Sequence, residues 1–419
     1  MCSSKLLVID QPDERIKYAH FISESSTWTV ENLTELLIEV HHVKDVSDVF
    51  LEHGYFVKVR HKSDMIFVKV GPKDLGGRSM AVVGEDVLNA FFKDCMSRAC
   101  EVTRTRRNAT SKLMVSRKNS KIGERFTFRL EGLRHSMSHL SEAAYFVLRP
   151  LRKVPELSKL GVHPKAKEVI RIKDKIVVVN GPTGSGKSTL ISSLLVEIVS
   201  HAREHILTSE DPVEYDMEIE SKIIGTIRQF DANEDILTEN EYESGMPDLG
   251  KSFLRMRPDR VFIGEIRDAQ SVQVATRIAR SAHQVFTTTH CNRCWDVFER
   301  FIDMVPSDAK ISSFVELISY MGAIVSQKLI ESKSHGMLPL EDVIFFEPRD
   351  VTELIEAVRK SFMSSGEYSG FTSEFKRIFR EKVERDEAVS MTSHLKEHYD
   401  NGFLTEEEYS SHLMRLDIL

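Results

Sequence analysis

One glycine-rich loop constrains this chain more than any other feature. Residues 181–189 read Gly-Pro-Thr-Gly-Ser-Gly-Lys-Ser-Thr and follow the apolar run 176–179 after one residue, Asn180. Backbone N–H groups can wrap a phosphate only where no Cβ intrudes and where left-handed dihedral angles cost little, which glycine provides. A buried strand, this loop and a helix beginning at Lys187 together predict an α/β domain that binds a nucleotide. A glycine-rich turn without a ligand is the alternative.

Each part of the loop has an expected role in binding phosphate. Lys187 is expected to reach the β- and γ-phosphates of a nucleoside triphosphate, and Ser188 to ligate Mg²⁺. The helix that follows would direct its positive N-terminal end at the anion. The predicted nucleotide-binding residues are Gly181, Pro182, Thr183, Gly184, Ser185, Gly186, Lys187, Ser188 and Thr189.

Length, charge and cysteine content restrict the class of protein. A chain of 419 residues is long enough for two or three domains. The formal net charge of -7 argues against a dedicated nucleic-acid-binding protein, which usually has a basic surplus. The 5 cysteines and the lack of a signal-peptide pattern indicate a cytosolic protein with reduced thiols. No apolar run approaches the roughly 20 residues that span a bilayer, so any membrane association is expected to be peripheral.

The first 150 residues indicate a small α+β domain. Residues 103–122 are rich in Arg, Lys, Asn and Ser, which is typical of a solvated basic hairpin tip; contact with nucleic acid or acidic lipid is the alternative. Prolines and glycines between Pro150 and Pro164 indicate an interdomain linker. The predicted elements are strands at 55–59 and 65–70 and helices at about 30–42 and 84–99.

Strands and helices alternate from about residue 165 to 345, which predicts a parallel sheet covered by helices on both faces. A nucleotide is then expected at the carboxyl edge of the strands. After Pro348 the chain is amphipathic and helical, with a turn at Asn401-Gly402 and a capping box from Thr405 to Glu408. The predicted strands are 176–179, 205–209, 260–264 and 284–289, and the predicted helices are 187–202, 268–281, 295–303 and 309–327.

Carboxylates follow two of these strands. Glu265 can accept a proton from, or orient, a water that attacks the γ-phosphate, although a solvated glutamate at a strand end is the alternative. The aspartate that usually holds Mg²⁺ at the fourth place of this strand is absent, since Ile263 and Gly264 precede Glu265. The metal is therefore expected to depend on Ser188, phosphate oxygens and water. Glu210 and Asp211 close another strand and can hold that water, unless they form only an Asp-Pro turn.

A histidine follows the strand 284–289. His290 and the threonines before it can form hydrogen bonds that sense the γ-phosphate, whereas a lone histidine is more often structural. His290, Cys291 and Cys294 also suggest zinc, which is the weaker interpretation because a second ligand pair would need Cys95 and Cys100 from another domain.

Four arginines surround the predicted catalytic strand: Arg228, Arg255, Arg257 and Arg267. A positive charge delivered to the γ-phosphate, often by a neighbouring subunit, stabilises the transition state. Not all four can do this, and Arg267 can instead pair with Asp268.

Taken together, these motifs resemble the PilT/GspE superfamily of secretion ATPases, which drive type II and type IV secretion and pilus retraction. The four signatures in order are Gly181-Pro-Thr-Gly-Ser-Gly-Lys-Ser-Thr189, the Asp box Glu210-Asp-Pro-Val-Glu214, the atypical Walker B region Leu254–Asp268 and the His box Ala282–His290. Ser326-Gln-Lys-Leu-Ile330 also resembles the end of the family's motor domain.

The resemblance extends into the first half of the chain. Asp45-Val-Ser-Asp48, Arg125-Phe-Thr-Phe-Arg129 and Val147-Leu-Arg-Pro150 are similar to segments of the family's PAS-like domain. The spacing between the Asp box and Walker B, the acidic stretch 233–249 and the long helical tail are most like the DotB/TraJ-type motors of type IVB secretion and conjugal transfer.

The resemblance implies roles for particular residues. Lys187 and Ser188 would contact phosphate and Mg²⁺, and Glu265 would be the catalytic glutamate. Glu210 would lie near the metal as a second ligand, and His290 would be the His-box residue. Arg228 and Arg255 match arginines that the family has near the γ-phosphate. The chain departs from the family at Ala282, where glycine is usual, and at Cys291 and Cys294, which replace threonine and small residues.

The sequence therefore predicts a Mg²⁺-dependent ATPase with an α/β fold: a RecA-like P-loop motor domain with a parallel sheet, a PAS-like α+β domain before it and a helical tail after it. We expect a homohexamer that converts ATP hydrolysis into force on a secretion or conjugation apparatus at the cytoplasmic face of the inner membrane. Sequence-specific nucleic-acid binding is not expected. The alternatives are a nucleic-acid translocase and a nucleotide-gated assembly scaffold. The predicted domains are 1–160, 161–347 and 348–419.

Overall fold

The computed structural model describes residues 6–10, 18–43, 46–62, 64–72, 81–94, 108–116, 126–137, 140–220, 224–232, 246–306, 310–365 and 369–417. Asp45, Cys95, Cys100, Arg125, residues 233–245 and most of the basic segment 103–122 lie outside these ranges. The chain divides into two compact units, residues 1–153 with 212–216 and residues 154–211 with 217–419. Their boundary falls within the Pro150–Pro164 segment predicted as a linker. The division into three domains remains a prediction, and the helices after Pro348 group with the second unit.

In its described residues, the first unit contains a sheet and the helices α1 (Val30–His42) and α2 (Glu85–Asp94). Thr29 begins α1 through a capping box with Asn32, and Leu33, Leu36 and Leu37 turn its apolar side into the core. The described strands are β1 (Leu6–Asp10), β2 (Tyr18–Ile22), β3 (Val46–Glu52), β4 (Lys58–His61), β5 (Asp64–Gly71), β6 (Asn108–Val115), β7 (Phe126–Met137) and β8 (Leu140–Pro150).

These strands form a sheet in the order β1-β2-β5-β4-β3-β8-β7-β6. Neighbouring strands are antiparallel except for the parallel pair β2 and β5. The predicted helix at 30–42 and the predicted strand at 65–70 are confirmed. The predicted strand at 55–59 is wrong in its first half, because Gly54 has φ 77° and the N–H of Tyr55 bonds to the Glu52 carbonyl in a turn. The strand begins only at Lys58.

The second unit contains a largely parallel sheet in the order β11-β10-β12-β13-β9-β14-β15, named below by residue range. Only the last pair is antiparallel. The predicted parallel sheet is therefore confirmed, with an antiparallel strand added at one edge. The strands are β9 (Ile176–Asn180), β10 (His205–Glu210), β11 (Thr226–Asp231), β12 (Arg260–Ile263), β13 (Gln284–Thr289), β14 (Met321–Ser332) and β15 (Gly336–Phe345).

Helices flank this sheet and extend to the end of the described chain. Val178, Val261 and Val285 are fully buried in the sheet, as expected for parallel strands covered on both faces. The described helices are α3 (Pro164–Lys167), α4 (Lys187–His201), α5 (Met217–Glu220), α6 (Met246–Arg255), α7 (Ala269–Arg280), α8 (Asp296–Asp303), α9 (Lys310–Tyr320), α10 (Pro348–Ser365), α11 (Ser369–Glu384), α12 (Met391–Asp400) and α13 (Glu406–Asp417). None of the described helices combines the length and the apolar character that a bilayer crossing requires.

The predicted helix 309–327 is wrong in its second half. α9 ends at Tyr320, and β14 begins at Met321 and pairs in parallel with β9. Gly322 permits this close pairing, because a Cβ there would lie 2.7 Å from Cβ of Lys175 and 2.9 Å from Cγ2 of Ile172. The predicted turn at Asn401-Gly402 and the capping box of α13 are confirmed, with the N–H of Glu408 donating to Oγ1 of Thr405 over 3.3 Å.

Candidate functional site

The carboxyl ends of four neighbouring strands meet at one edge of the second sheet. β9 ends at Asn180, next to Thr289 of β13, and β12 lies between β13 and β10. Gly181, Glu210, Glu265 and His290 therefore stand at or just beyond adjacent strand ends, where ligands bind in open α/β sheets.

The loop 181–186 has a shape that depends on its glycines. Gly184 and Gly186 adopt φ 79° and 84°, in the left-handed region. A Cβ at Gly181 would lie 2.1 Å from the carbonyl oxygen of Gln327, whereas one at Gly184 would meet nothing within 4 Å. The backbone on the open side can thus approach a ligand closely, as a phosphate-binding loop must.

Lys187 is buried and lies against the loop. Its Nζ donates to the carbonyl oxygens of Gly181 over 2.8 Å and Pro182 over 3.0 Å. The same ammonium group lies 3.3 Å from Nδ1 of His290. The glycine-rich loop and the His box are therefore in direct contact.

His290 connects Lys187 to Glu265. Its Nε2 lies 3.3 Å from Oε1 of Glu265, on the opposite side of the ring from Lys187. An ammonium group can only donate, so Nδ1 must be the accepting nitrogen and Nε2 carries the proton that faces the carboxylate. The two partners therefore select one tautomer of the neutral imidazole.

The backbone holds Glu265 on both sides. The N–H of Gly264 donates to the Ser209 carbonyl over 2.7 Å, and the N–H of Ile266 donates to the Thr288 carbonyl over 3.0 Å. The hydroxyl of Thr288 also donates to the Gly264 carbonyl over 2.5 Å. The carboxylate thus projects from a fixed turn between two strands.

Arg267 binds the other side of Glu265. Its Nε donates to Oε2 of Glu265 over 2.6 Å, and its Nη1 donates to Oδ2 of Asp211 over 2.9 Å. The hydrogen bond to Glu265 is the main cause that raises the pKa of Arg267 above its ordinary value. The suggested pairing of Arg267 with Asp268 is wrong. Asp268 instead caps the N-terminus of α7, where its carboxylate accepts a hydrogen bond from the N–H of Ser271.

Glu210 belongs to a separate buried network. Its Oε1 accepts from Oγ1 of Thr208 over 2.7 Å and from Nε2 of Gln229 over 2.9 Å. Gln229 lies on β11, which sequence reasoning missed. The sequence has no clear signal for this strand, because the buried position 229 carries a polar glutamine and breaks the apolar alternation.

The other predicted residues do not join the Lys187–His290–Glu265 contacts. Ser188 and Thr189 lie half-buried in the first turn of α4. Arg228 and Arg255 are exposed, and neither forms an ion pair with a residue in the described ranges. Their assignment to the γ-phosphate remains a prediction.

Burial makes the two cysteines after His290 weak nucleophiles. Burial raises the pKa of the Cys291 thiol to about 12, and complete burial raises that of Cys294 well above its ordinary value. Both thiols therefore stay protonated near neutral pH. Across the described part of the chain, no three His, Cys, Asp or Glu side chains are arranged to hold a metal ion.

Solved structures share this fold. The ATPase DotB of Legionella pneumophila aligns with a TM-score of 0.71 at 18% identity, covering 94% of this chain and 98% of that one. The pilus retraction motor PilT with bound ADP aligns with a TM-score of 0.65 at 24% identity, covering 90% and 95%. The predicted fold class is confirmed.

Sequence comparison gives relatives of the same kind. The uncharacterized protein YggR of Escherichia coli is 31% identical over 194 residues, which is 46% of this chain and 56% of YggR. The type IV pilus ATPase PilT of Pseudomonas aeruginosa is 30% identical over 196 residues, 47% and 54% of the two chains. The chain thus spans about half the length of these curated relatives. A family model described as type II/IV secretion system protein matches residues 30–392, and the chain belongs to that family.

Proposed function

We propose that this chain is a Mg²⁺-dependent ATPase that acts as a homohexameric motor of a type IV secretion or pilus apparatus. Within that class we assign it to the DotB/TraJ type, working at the cytoplasmic face of the inner membrane. The family match and the structural similarity to DotB and PilT support this assignment.

The contact series Lys187–His290–Glu265 is the observation that carries the proposal. It joins the phosphate-binding loop to a carboxylate held 3.3 Å from His290. A lysine at the phosphates and a fixed carboxylate beyond them are the parts that γ-phosphoryl transfer to water requires.

Two oxygen donors suit Mg²⁺, one in the first turn of α4 and one at the end of β10. Ser188 offers a hydroxyl at the start of α4, and Glu210 offers a carboxylate fixed by Thr208 and Gln229. Hard oxygen ligands of this kind, completed by phosphate and water, are what Mg²⁺ prefers. Bound there, Mg²⁺ would neutralise charge on the β- and γ-phosphates.

A second copy of the chain would complete the site. Arg228 and Arg255 are exposed and form no ion pair with residues in the described ranges, so their guanidinium groups are accessible to a neighbouring subunit. An arginine supplied between subunits is a common source of transition-state stabilisation in P-loop ATPases.

Phosphate release by the full-length protein tests the proposal. Wild type should release phosphate from ATP only with Mg²⁺, Lys187→Ala should lose ATP binding and turnover, and Glu210→Gln should need more Mg²⁺. Lys159→Ala, which removes an exposed lysine paired with Glu156, is the matched control. Tight ATP binding with no phosphate release by wild type would instead identify a scaffold.

Three further measurements address the oligomeric state, the effect of DNA and the cellular partner. Light scattering should give a mass near six chains with ATP. DNA should leave the rate unchanged, since salt-sensitive stimulation by DNA would favour a translocase. Co-purification with an inner-membrane secretion or pilus protein would support the cellular assignment.

A further inference from the structure

The segment after His290 is tied to the base of the phosphate-binding loop. The side-chain amide of Asn180 donates to the backbone carbonyls of Cys291 over 3.4 Å and Arg293 over 3.3 Å. Asn180 is the last residue of β9, directly before Gly181, and its Oδ1 accepts from the Ser326 hydroxyl over 2.6 Å. These contacts fix the backbone of the segment but not the side chain of His290, which is 41% exposed.

A buried ion pair holds the far end of the same segment. Nε of Arg293 donates to Oδ2 of Asp342 over 2.9 Å, and Nη2 donates to Oδ1 over 3.3 Å. Two parallel bonds between a guanidinium and a carboxylate restrict orientation as well as distance. The guanidinium carbon also lies 4.4 Å from the centre of the Trp295 ring. The side chain of Arg293 is therefore held on two sides.

Asp342 is shared with the C-terminal helices. It is fully buried on β15, and its Oδ1 accepts from the N–H of Met391, the first residue of α12, over 2.8 Å. Val343 and Val389 exchange backbone hydrogen bonds of 2.8 and 2.9 Å beside it. One carboxylate thus connects the segment after His290 to the start of α12.

We propose that Arg293 and Asp342 are positioning residues for the ATPase site, which keep His290 between Lys187 and Glu265 and couple that placement to α12. The inference rests on the proposed function for its catalytic part. Arg293 is three residues from His290, a span of roughly 10 Å at most, so a shift at the ion pair is transmitted along a short backbone. Misplacement by about 1 Å near reacting groups can reduce turnover by roughly 100-fold.

Steady-state kinetics on the full-length protein test the catalytic part. Arg293→Met should lower kcat by roughly 10- to 100-fold with KM and ATP affinity within about twofold of wild type. Arg293→Lys, which keeps the charge, should recover part of the loss. Arg280→Met is the matched control, because it breaks an exposed pair with Glu316 in the same unit and should leave kcat unchanged.

A double variant separates positioning from general damage. Because Arg293 acts through His290, adding Arg293→Met to His290→Ala should cost little beyond His290→Ala alone. Independent, multiplying losses would overturn the inference, as would a normal kcat in Arg293→Met. If Arg293→Met fails to fold, the double variant Arg293→Met with Asp342→Asn is used in its place. The double variant leaves no unpaired buried charge, because both charges of the pair are removed.

Hydrogen–deuterium exchange tests the placement without turnover. Arg293→Met should raise exchange in residues 290–296 and 391–395 but not in 176–180, and Arg280→Met should raise it in none of these. Unchanged exchange at 391–395 would overturn the coupling to α12. If the wild-type protein released no phosphate, the proposed ATPase activity would be refuted. The exchange measurements would still decide whether the Arg293–Asp342 pair positions His290.

Discussion

Nε2 of the His290 imidazole lies 3.3 Å from Oε1 of the Glu265 carboxylate. Nδ1 faces Lys187 over 3.3 Å, so the ring joins the phosphate-binding lysine to the carboxylate that would activate water. A histidine at a strand end does not by itself predict the contacts with Lys187 and Glu265, because these contacts require the adjacent ends of three strands.

His290→Ala removes this connection. We expect kcat for ATP hydrolysis to fall by roughly 100-fold, while ATP affinity changes by less than about threefold, because Lys187 and the loop remain. Phosphate release and nucleotide titration measure the two quantities. His201→Ala, an exposed histidine at the end of α4, is the control. A loss of ATP affinity equal to the loss of kcat would assign His290 to binding.

Alanine substitutions in the loop should differ in effect according to the space at each glycine. Gly181→Ala would put Cβ 2.1 Å from the Gln327 carbonyl, so the backbone must move and nucleotide binding should be lost. Gly184→Ala meets nothing within 4 Å and carries only the strain of φ 79°, about 1 kcal/mol. Isothermal titration calorimetry compares the ATP affinity of the two variants, and thermal unfolding compares their stability. Equal losses in both variants would contradict the description of the loop.

Ala282 has a left-handed backbone where the family usually has glycine. Its φ is 62°, and it directly follows Ser281, the C-cap residue of α7. A residue with a Cβ is strained in this conformation, and Ala282→Gly removes that strain. Glycine also gives the unfolded chain more conformational freedom, which offsets part of the gain. The net effect should be a free energy of unfolding higher by roughly 0.5 kcal/mol. Ala279→Gly, inside α7, should lower it. Urea unfolding at neutral pH measures both, and a destabilised Ala282→Gly would contradict the strain.

Stability should fall with pH because of Glu341. Burial raises its pKa from 4.5 to about 8, opposed by the N–H of His163 and by Lys167. A carboxyl whose folded pKa is raised stabilises the fold below its unfolded pKa and loses that effect as pH rises through the folded value. Burial lowers the pKa of nearby His394 from 6.5 to about 3, so its opposing effect ends near pH 6.5.

The range from pH 6.5 to 8 therefore isolates Glu341. We expect the free energy of unfolding to fall by about 1 to 2 kcal/mol over it, relative to Glu341→Gln, in which the titrating group is absent. Urea unfolding at both pH values in the two proteins measures the difference. Parallel pH dependence in wild type and Glu341→Gln would rule out a raised pKa at this position.

The motifs at strand ends could be predicted from the sequence because each is local. Gly181–Thr189 and Glu265 follow short apolar runs, and His290 follows a stretch rich in β-branched residues. All three patterns indicate strands, so the shared sheet edge follows from the rule for parallel strands. Their contact distances could not be predicted, since they depend on the register of β9, β12 and β13.

Elements without a periodic pattern were misread. The run from Met321 to Val325 contains no polar residue, so periodicity cannot distinguish a helix from a strand there. Gln229 and Asp342 are buried polar residues whose partners are distant in sequence. Sequence alone gives such residues no partner, so the networks around Glu210 and Arg293 appear only in the fold.

Glu265→Gln tests the central claim most directly, with ATP binding and phosphate release measured on the same full-length protein with Mg²⁺. Glutamine keeps the size of the side chain and an oxygen that accepts from Arg267, but it cannot take a proton from water. We predict ATP affinity within about threefold of wild type and a turnover rate lowered by at least roughly 100-fold. Phosphate release at the wild-type rate would show that Glu265 is not the catalytic carboxylate and would contradict the account.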